Sequence, residues 1–221
     1  MIFPIGDENI IGGHKPLFSY SLIVVNVLVF FYEISLGMNA QGFMTSFGTI
    51  PSEISSGEDL YTLFTALFIH GGWMHLIGNM LFLWIFADNI EAVIGTTAFI
   101  VFYFLGGLCA SMVHVMADPH SLIPSVGASG AISAVMGAYL IMFPRSKVKL
   151  IFILFLSRFE LPAVIFLAIW FIQQLMSGIG SFASEQSGGI AWWAHIGGFV
   201  FGLLAGMIIR NKYGHLYRYG H

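Results

Sequence analysis

Apolar residues along the chain gather into six long stretches, separated by connections rich in Gly, Ser, Pro and charged side chains. The pattern predicts helices over residues 17–36, 73 to about 93, 96–116, 129–143, 161–176 and 190–209. No internal repeat is apparent. Two connections are unusual. Residues 37–72 form a long link ending in "LYTLFTALF", a segment suited to the membrane interface, and a link of that length usually has a function. Residues 144–160 contain "KVKLIFILFLS", read here as an interfacial segment rather than a seventh span, because Pro162 suits the first turn of a helix starting near Leu161.

Length and composition turn this pattern into a membrane topology. At ~1.5 Å per residue, stretches of this size match a ~30 Å hydrocarbon layer. Hydrophobic residues make up 57% of the 221 and charged residues only 9%, against roughly 25% charged in a soluble domain. The expectation is an all-α polytopic membrane protein, a six-helix bundle with a short central helix, whose surroundings are the lipid bilayer. The opening "MIFPIGDENIIGGHKP" has no basic n-region and no cleavage site, so the first span is expected to act as its own insertion signal. The single cysteine, Cys109, excludes an internal disulfide. A net charge of −3 without a dense basic cluster gives no support for nucleic-acid binding.

Six spans put both termini on one side, and all eight basic residues (Lys15, Arg145, Lys147, Lys149, Arg158, Arg210, Lys212 and Arg218) fall there. The positive-inside rule assigns that side to the cytoplasm. The expected organisation is a cytoplasmic segment 1–16, a six-span domain 17–209 and a cytoplasmic tail 210–221. The expected location is a bacterial plasma membrane.

Depth then brings particular polar residues together. A helix over 129–143 is ~22 Å long, short of the hydrocarbon core, so Ser129 starts several Å below the outer surface. The preceding "ADPHSLIPSVGA" must dip into the protein, which requires protein or a wet cavity around it. His195 enters from the same side, ~7.5 Å down the last span. His75 and Asn79, four residues apart, share a face in the outer half of the second. A serine in a membrane helix commonly just bonds back to its own backbone, and Gly130, Ala134, Gly198 and Gly202 read simply as small-residue helix packing. That close packing is also what would bring Ser129 and His195 within hydrogen-bond reach. A serine hydroxyl needs a base to become a nucleophile, and His195 is the candidate. The Ser129 backbone N–H, His75 and Asn79 are candidate donors to an oxyanion. Only Glu33 among the acidic residues lies in the outer half of a span, so a Ser–His dyad is expected rather than a triad. A metal site is not expected, because His70 and His75 lack the H-E-x-x-H spacing and its glutamate.

At these residues the chain resembles the rhomboid family of intramembrane serine proteases. The resemblance spans about 17–209 and rests on "GASGA" around Ser129, "AHIGGFVFG" around His195 and "HLIGN" with His75 and Asn79. Asp88, Glu91 and "ELPA" are similar to the family as well. The resemblance implies cleavage of single- or multi-span membrane protein substrates, with no cofactor. Two positions depart from it. The first external connection has Tyr61-Thr62 where many bacterial members have Trp-Arg. Ser133 stands where some members stack an aromatic ring on the histidine, leaving it either to orient His195 or to pack. A non-catalytic rhomboid-like protein that binds transmembrane clients is the alternative, although loss of the serine or histidine would be its mark. A transporter should show paired intramembrane charges or an inverted repeat.

Overall fold

The computed structural model describes residues 2–8, 10–11, 13–152, 157–181, 191–214 and 218–219. Nine α-helices are found among them. Helix α1 spans Leu17–Ser35 and is followed by three short helices, α2 Ala40–Phe47, α3 Pro51–Ser56 and α4 Thr62–Thr65. The long helices α5 Trp73–Ile94 and α6 Thr96–Ala117 follow, then α7 Ser129–Met142, α8 Ala163–Ser181 and α9 Trp192–Tyr213. Five of these (α1, α5, α6, α8 and α9) are long and apolar enough to cross a membrane, and α7 is shorter. The chain folds as a polytopic helical bundle.

Helix α7 is its axis. Of its 14 residues only Ser129, Leu140 and Ile141 escape burial. Lipid is as apolar as the side chains it replaces, so what holds such a helix is close packing rather than exclusion of water. Small residues make that possible. A Cβ added at Gly198 would run into the Gly130 carbonyl, and one at Gly202 into the Ala134 carbonyl, so α9 lies on α7 backbone to backbone. On the far side of α7, Tyr139 packs edge-on against Phe86 of α5, with ring centroids 4.9 Å apart.

Helix ends inside the bundle need partners for their free N–H groups, and one residue supplies several. Glu91, near the end of α5, accepts from the backbone N–H groups of Phe18 and Ser19 and from the Ser19 hydroxyl, and it also accepts from the Thr96 hydroxyl. It therefore caps α1 and, through the Thr96 hydroxyl, ties the start of α6 to it. At the other end of α1, buried Glu33 accepts from the His70 N–H at 3.3 Å.

The expectation of a helix from Leu161 is corrected, whereas residues 144–160 contain no membrane-crossing helix among the described residues, as expected. Residues 147–152 and 157–162 form an antiparallel strand pair, β3 Lys147–Phe152 and β4 Ser157–Pro162, in which Val148 pairs with Leu161 and Leu150 with Phe159. Leu161 and Pro162 are strand residues, so α8 starts two residues later than expected and continues to Ser181. Strand β1, Ile2–Gly6, joins the other edge of β3 in antiparallel register, giving the order β1-β3-β4. A second pair joins β2 Ile10–Ile11 to β5 Arg218–Tyr219. The N-terminal segment is thus part of a sheet rather than a free tail. Asp7, just past β1, accepts from Asn89 Nδ2 at 2.7 Å and from the Tyr139 hydroxyl at the foot of α7. The last helix also extends to Tyr213, four residues beyond the expected end, and its expected start at Ile190 lies outside the described residues.

Candidate active site

The chain entering α7 is irregular, and its backbone finds partners in the long connection after α1. Thr49 and Ser125 exchange backbone hydrogen bonds of 2.9 and 2.8 Å, and the Gly127 N–H donates to the Ala66 carbonyl at 2.8 Å. Tyr61 and Thr62, the unusual pair in that connection, help fix it: the Tyr61 hydroxyl donates to the Ser46 carbonyl, and the Thr62 carbonyl accepts from Thr49 Oγ1. Gly127 has φ +121°, a region that favours glycine, and an added Cβ would fall 2.7 Å from His75 Nε2. The chain thus turns closely around His75 before α7 begins.

Ser129 is the first residue of α7, and His195 sits in the first turn of α9. Ser129 Oγ lies 2.8 Å from His195 Nε2. The other ring nitrogen, Nδ1, lies 2.8 Å from Oε1 of Gln174, a buried residue of α8. An amide oxygen can only accept, so Nδ1 carries the proton and Nε2 turns its lone pair to the Ser129 hydroxyl. His75 and Asn79 lie one turn apart on α5 and line the same cavity of about 580 Å³ as Ser129, Gln174 and His195. Helices α5 and α8 form its walls, with Met74 and Phe82 on one side and Trp170 on the other. Asn79 Nδ2 is buried with no acceptor among the described residues.

Of the two roles left open for Ser133 the second holds, and two sets of contacts around the histidine were not anticipated from the residues alone. Ser133 does not reach His195, since its hydroxyl donates back to the Ser129 carbonyl at 2.6 Å. The aromatic neighbours of the histidine are Trp170 and Trp192, with ring centroids 6.0 and 6.1 Å from the imidazole. Gln174 was missed altogether. An amide in the middle of an apolar span was the available signal, because polar groups there carry a cost and usually a purpose.

The family model for the Rhomboid domain matches residues 57–212, well over half of the chain. The chain belongs to the rhomboid family. It is 30% identical to rhomboid protease GluP of Bacillus subtilis over 135 residues, 61% of this chain and 26% of that protein. It is 25% identical to RHOMBOID-like protein 5 of Arabidopsis thaliana over 171 residues, covering 76% and 51% of the two chains. To the mitochondrial presenilin-associated rhomboid-like protein A of Danio rerio it is 28% identical over 144 residues, covering 62% and 34%. This rhomboid spans between about a quarter and a half of the length of these relatives. Its membership and its apolar helices make it a multi-pass integral membrane protein. Ser129, His195, His75 and Asn79 all lie within the matched residues.

Proposed function

We propose that this rhomboid is an intramembrane serine endopeptidase, acting on transmembrane-helix substrates without a cofactor. The observation that carries the reading is the 2.8 Å approach of Ser129 Oγ to His195 Nε2 at the edge of the cavity. In this mechanism Ser129 Oγ attacks the scissile carbonyl carbon as its proton passes to His195 Nε2. The oxyanion accepts hydrogen bonds from the Ser129 backbone N–H, Asn79 Nδ2 and His75. The C–N bond then breaks, and the leaving amine takes the proton from Nε2. Water attacks the acyl-enzyme with His195 again accepting a proton, and the second product leaves with Ser129 restored.

The basic residues suggest the sidedness. They cluster at the end of the bundle away from the cavity, so that end is assigned to the cytoplasm and substrates are met in the outer half of the bilayer. One labelling experiment tests site and side together. A charged, membrane-impermeant fluorophosphonate added to right-side-out vesicles should label the protein at Ser129. Labelling should vanish in Ser129→Ala and fall sharply in His195→Ala. Undiminished labelling of Ser129→Ala would refute the assignment and favour a client-binding protein. Labelling seen only after the vesicles are opened would reverse the sidedness.

A further inference from the structure

His195 is held at both ring nitrogens, and the two partners sit on different helices. Ser129 is on α7, whereas Gln174 is on α8. Gln174 is the residue of that helix turned inward at this level: its neighbour Gln173 is exposed, while Gln174 is 5% exposed. Trp170, one turn earlier on the same face, adds its ring against the imidazole. One turn later, Gly178 lets α8 lie close to α9, since a Cβ there would meet Ile196 at 3.0 Å and Trp192 at 3.6 Å. Three successive turns of α8 therefore face the histidine or its helix. Most of the remaining surface of α8 faces away from the protein, since only 22% of its most apolar 18-residue stretch is buried.

We infer that Gln174 is the positioning residue of the Ser129–His195 pair. Its carbonyl oxygen keeps the proton on Nδ1, leaves Nε2 free to receive the serine proton and holds the ring plane toward Ser129. This is the work a carboxylate does in a serine triad, carried out here by a neutral amide. A neutral acceptor suits the site, because a carboxylate buried among apolar helices would cost far more to keep unpaired. Placement on α8 has a further effect. Both members of the pair stand on α7 and α9, which are locked backbone to backbone, so the distance between them is set by that contact. The tautomer and tilt of the ring are set separately by α8. A movement of α8 away from α9 would leave Ser129 and His195 adjacent but release Nδ1.

The inference rests on the nucleophile–base reading of Ser129 and His195, and the variants chosen separate the two. Gln174→Met keeps the length and bulk of the side chain and removes the acceptor; Gln174→Glu keeps an oxygen in the same place that, once ionised beside the imidazolium, can only accept. Cleavage of a single-span substrate by the protein in detergent is followed across the pH range in which histidine titrates. Gln174→Met is expected to lower kcat roughly 10- to 100-fold with little change in KM, less than the ~10⁴ lost when a triad histidine is held in the wrong tautomer, since methionine imposes neither form. Gln174→Glu is expected to retain turnover and to move the acid limb of the pH–rate profile upward by about one unit or more, because a carboxylate beside the ring favours the imidazolium. His75 of α5 and His114 of α6, the other titratable groups whose charge acts on His195, are unchanged in both variants. Wild-type kcat in Gln174→Met overturns the inference. If that variant fails to fold, an unshifted profile in Gln174→Glu overturns it instead. Failure of the dyad itself would appear elsewhere, as persistent fluorophosphonate labelling of Ser129→Ala.

Discussion

Asn79 holds an N–H donor buried beside the turn at Gly127, and no group among the described residues accepts it. Keeping such a donor unpaired is costly unless something arrives to use it. In the proposed reaction that is the oxyanion, and the benefit is confined to the moment when negative charge is present. Asn79→Ala and His75→Ala should therefore each lower kcat by roughly 10- to 1,000-fold while leaving KM close to that of the parent, measured as initial rates of substrate cleavage. Ser133→Ala should leave both nearly unchanged, since its hydroxyl is already committed to the Ser129 carbonyl. Wild-type kcat in both α5 variants would make those side chains structural. At this scale the residues that meet in the cavity were legible, because Ser, His and Asn are rare enough in apolar helices to draw attention. What orients them was not. Whether a polar side chain on one helix meets a ring on another depends on helix rotation and spacing, which composition does not encode; Gln173 and Gln174 read alike until only one of them faces inward.

Among the elements, α7 and α9 make the contact on which the 2.8 Å pair depends. Small residues at four-residue intervals announced this contact in the sequence, and the structure shows what they accommodate, namely main chain rather than side chain. Main chain in a helix cannot step aside. Gly202→Ala should accordingly destabilise the bundle by about 1–3 kcal/mol in denaturant titrations, although alanine is the better helix former. Gly42→Ala in α2, where an added Cβ would meet nothing within 4 Å, should be neutral or stabilising. Equal effects of the two substitutions would show that the close approach is not limiting. Most helix ends were readable to within a few residues because long apolar stretches are unambiguous. The strand pair was hidden by its own composition: "KVKL" alternates with the two-residue period of a strand, with Val148 and Leu150 buried between exposed lysines, but "IFILFLS" follows without a break. Pro162 suits a helix start and a strand end equally well, and pairing with Lys147 decides between them.

Over the whole molecule, the N-terminal segment ties the strand pair to the base of the bundle through Asp7. Burial, the largest influence, together with the nearby Asp88 carboxylate, raises its carboxyl from 3.8 to about 7, against the Tyr139 and Asn89 hydrogen bonds and the Lys149 charge. Docking of β1 therefore favours the protonated acid. Its contribution is complete below about pH 4, the value for a free carboxyl, and is lost as pH rises through about 7. Hydrogen exchange at the β1–β3 amides should quicken over that interval and level off above it, and Asp7→Asn should flatten the dependence. Exchange that slows as pH rises, once corrected for its intrinsic rate, would reverse the assignment. Glu91 joins distant parts of the chain in another way. It lies 72 residues after Ser19, whose hydroxyl and N–H it accepts. At roughly 5–20 residues per second, a ribosome makes it about 4–15 s after the helix it secures. During that interval α1 can enter the bilayer but lacks the Glu91 contacts, so α1 waits for α5 before its place in the bundle is final.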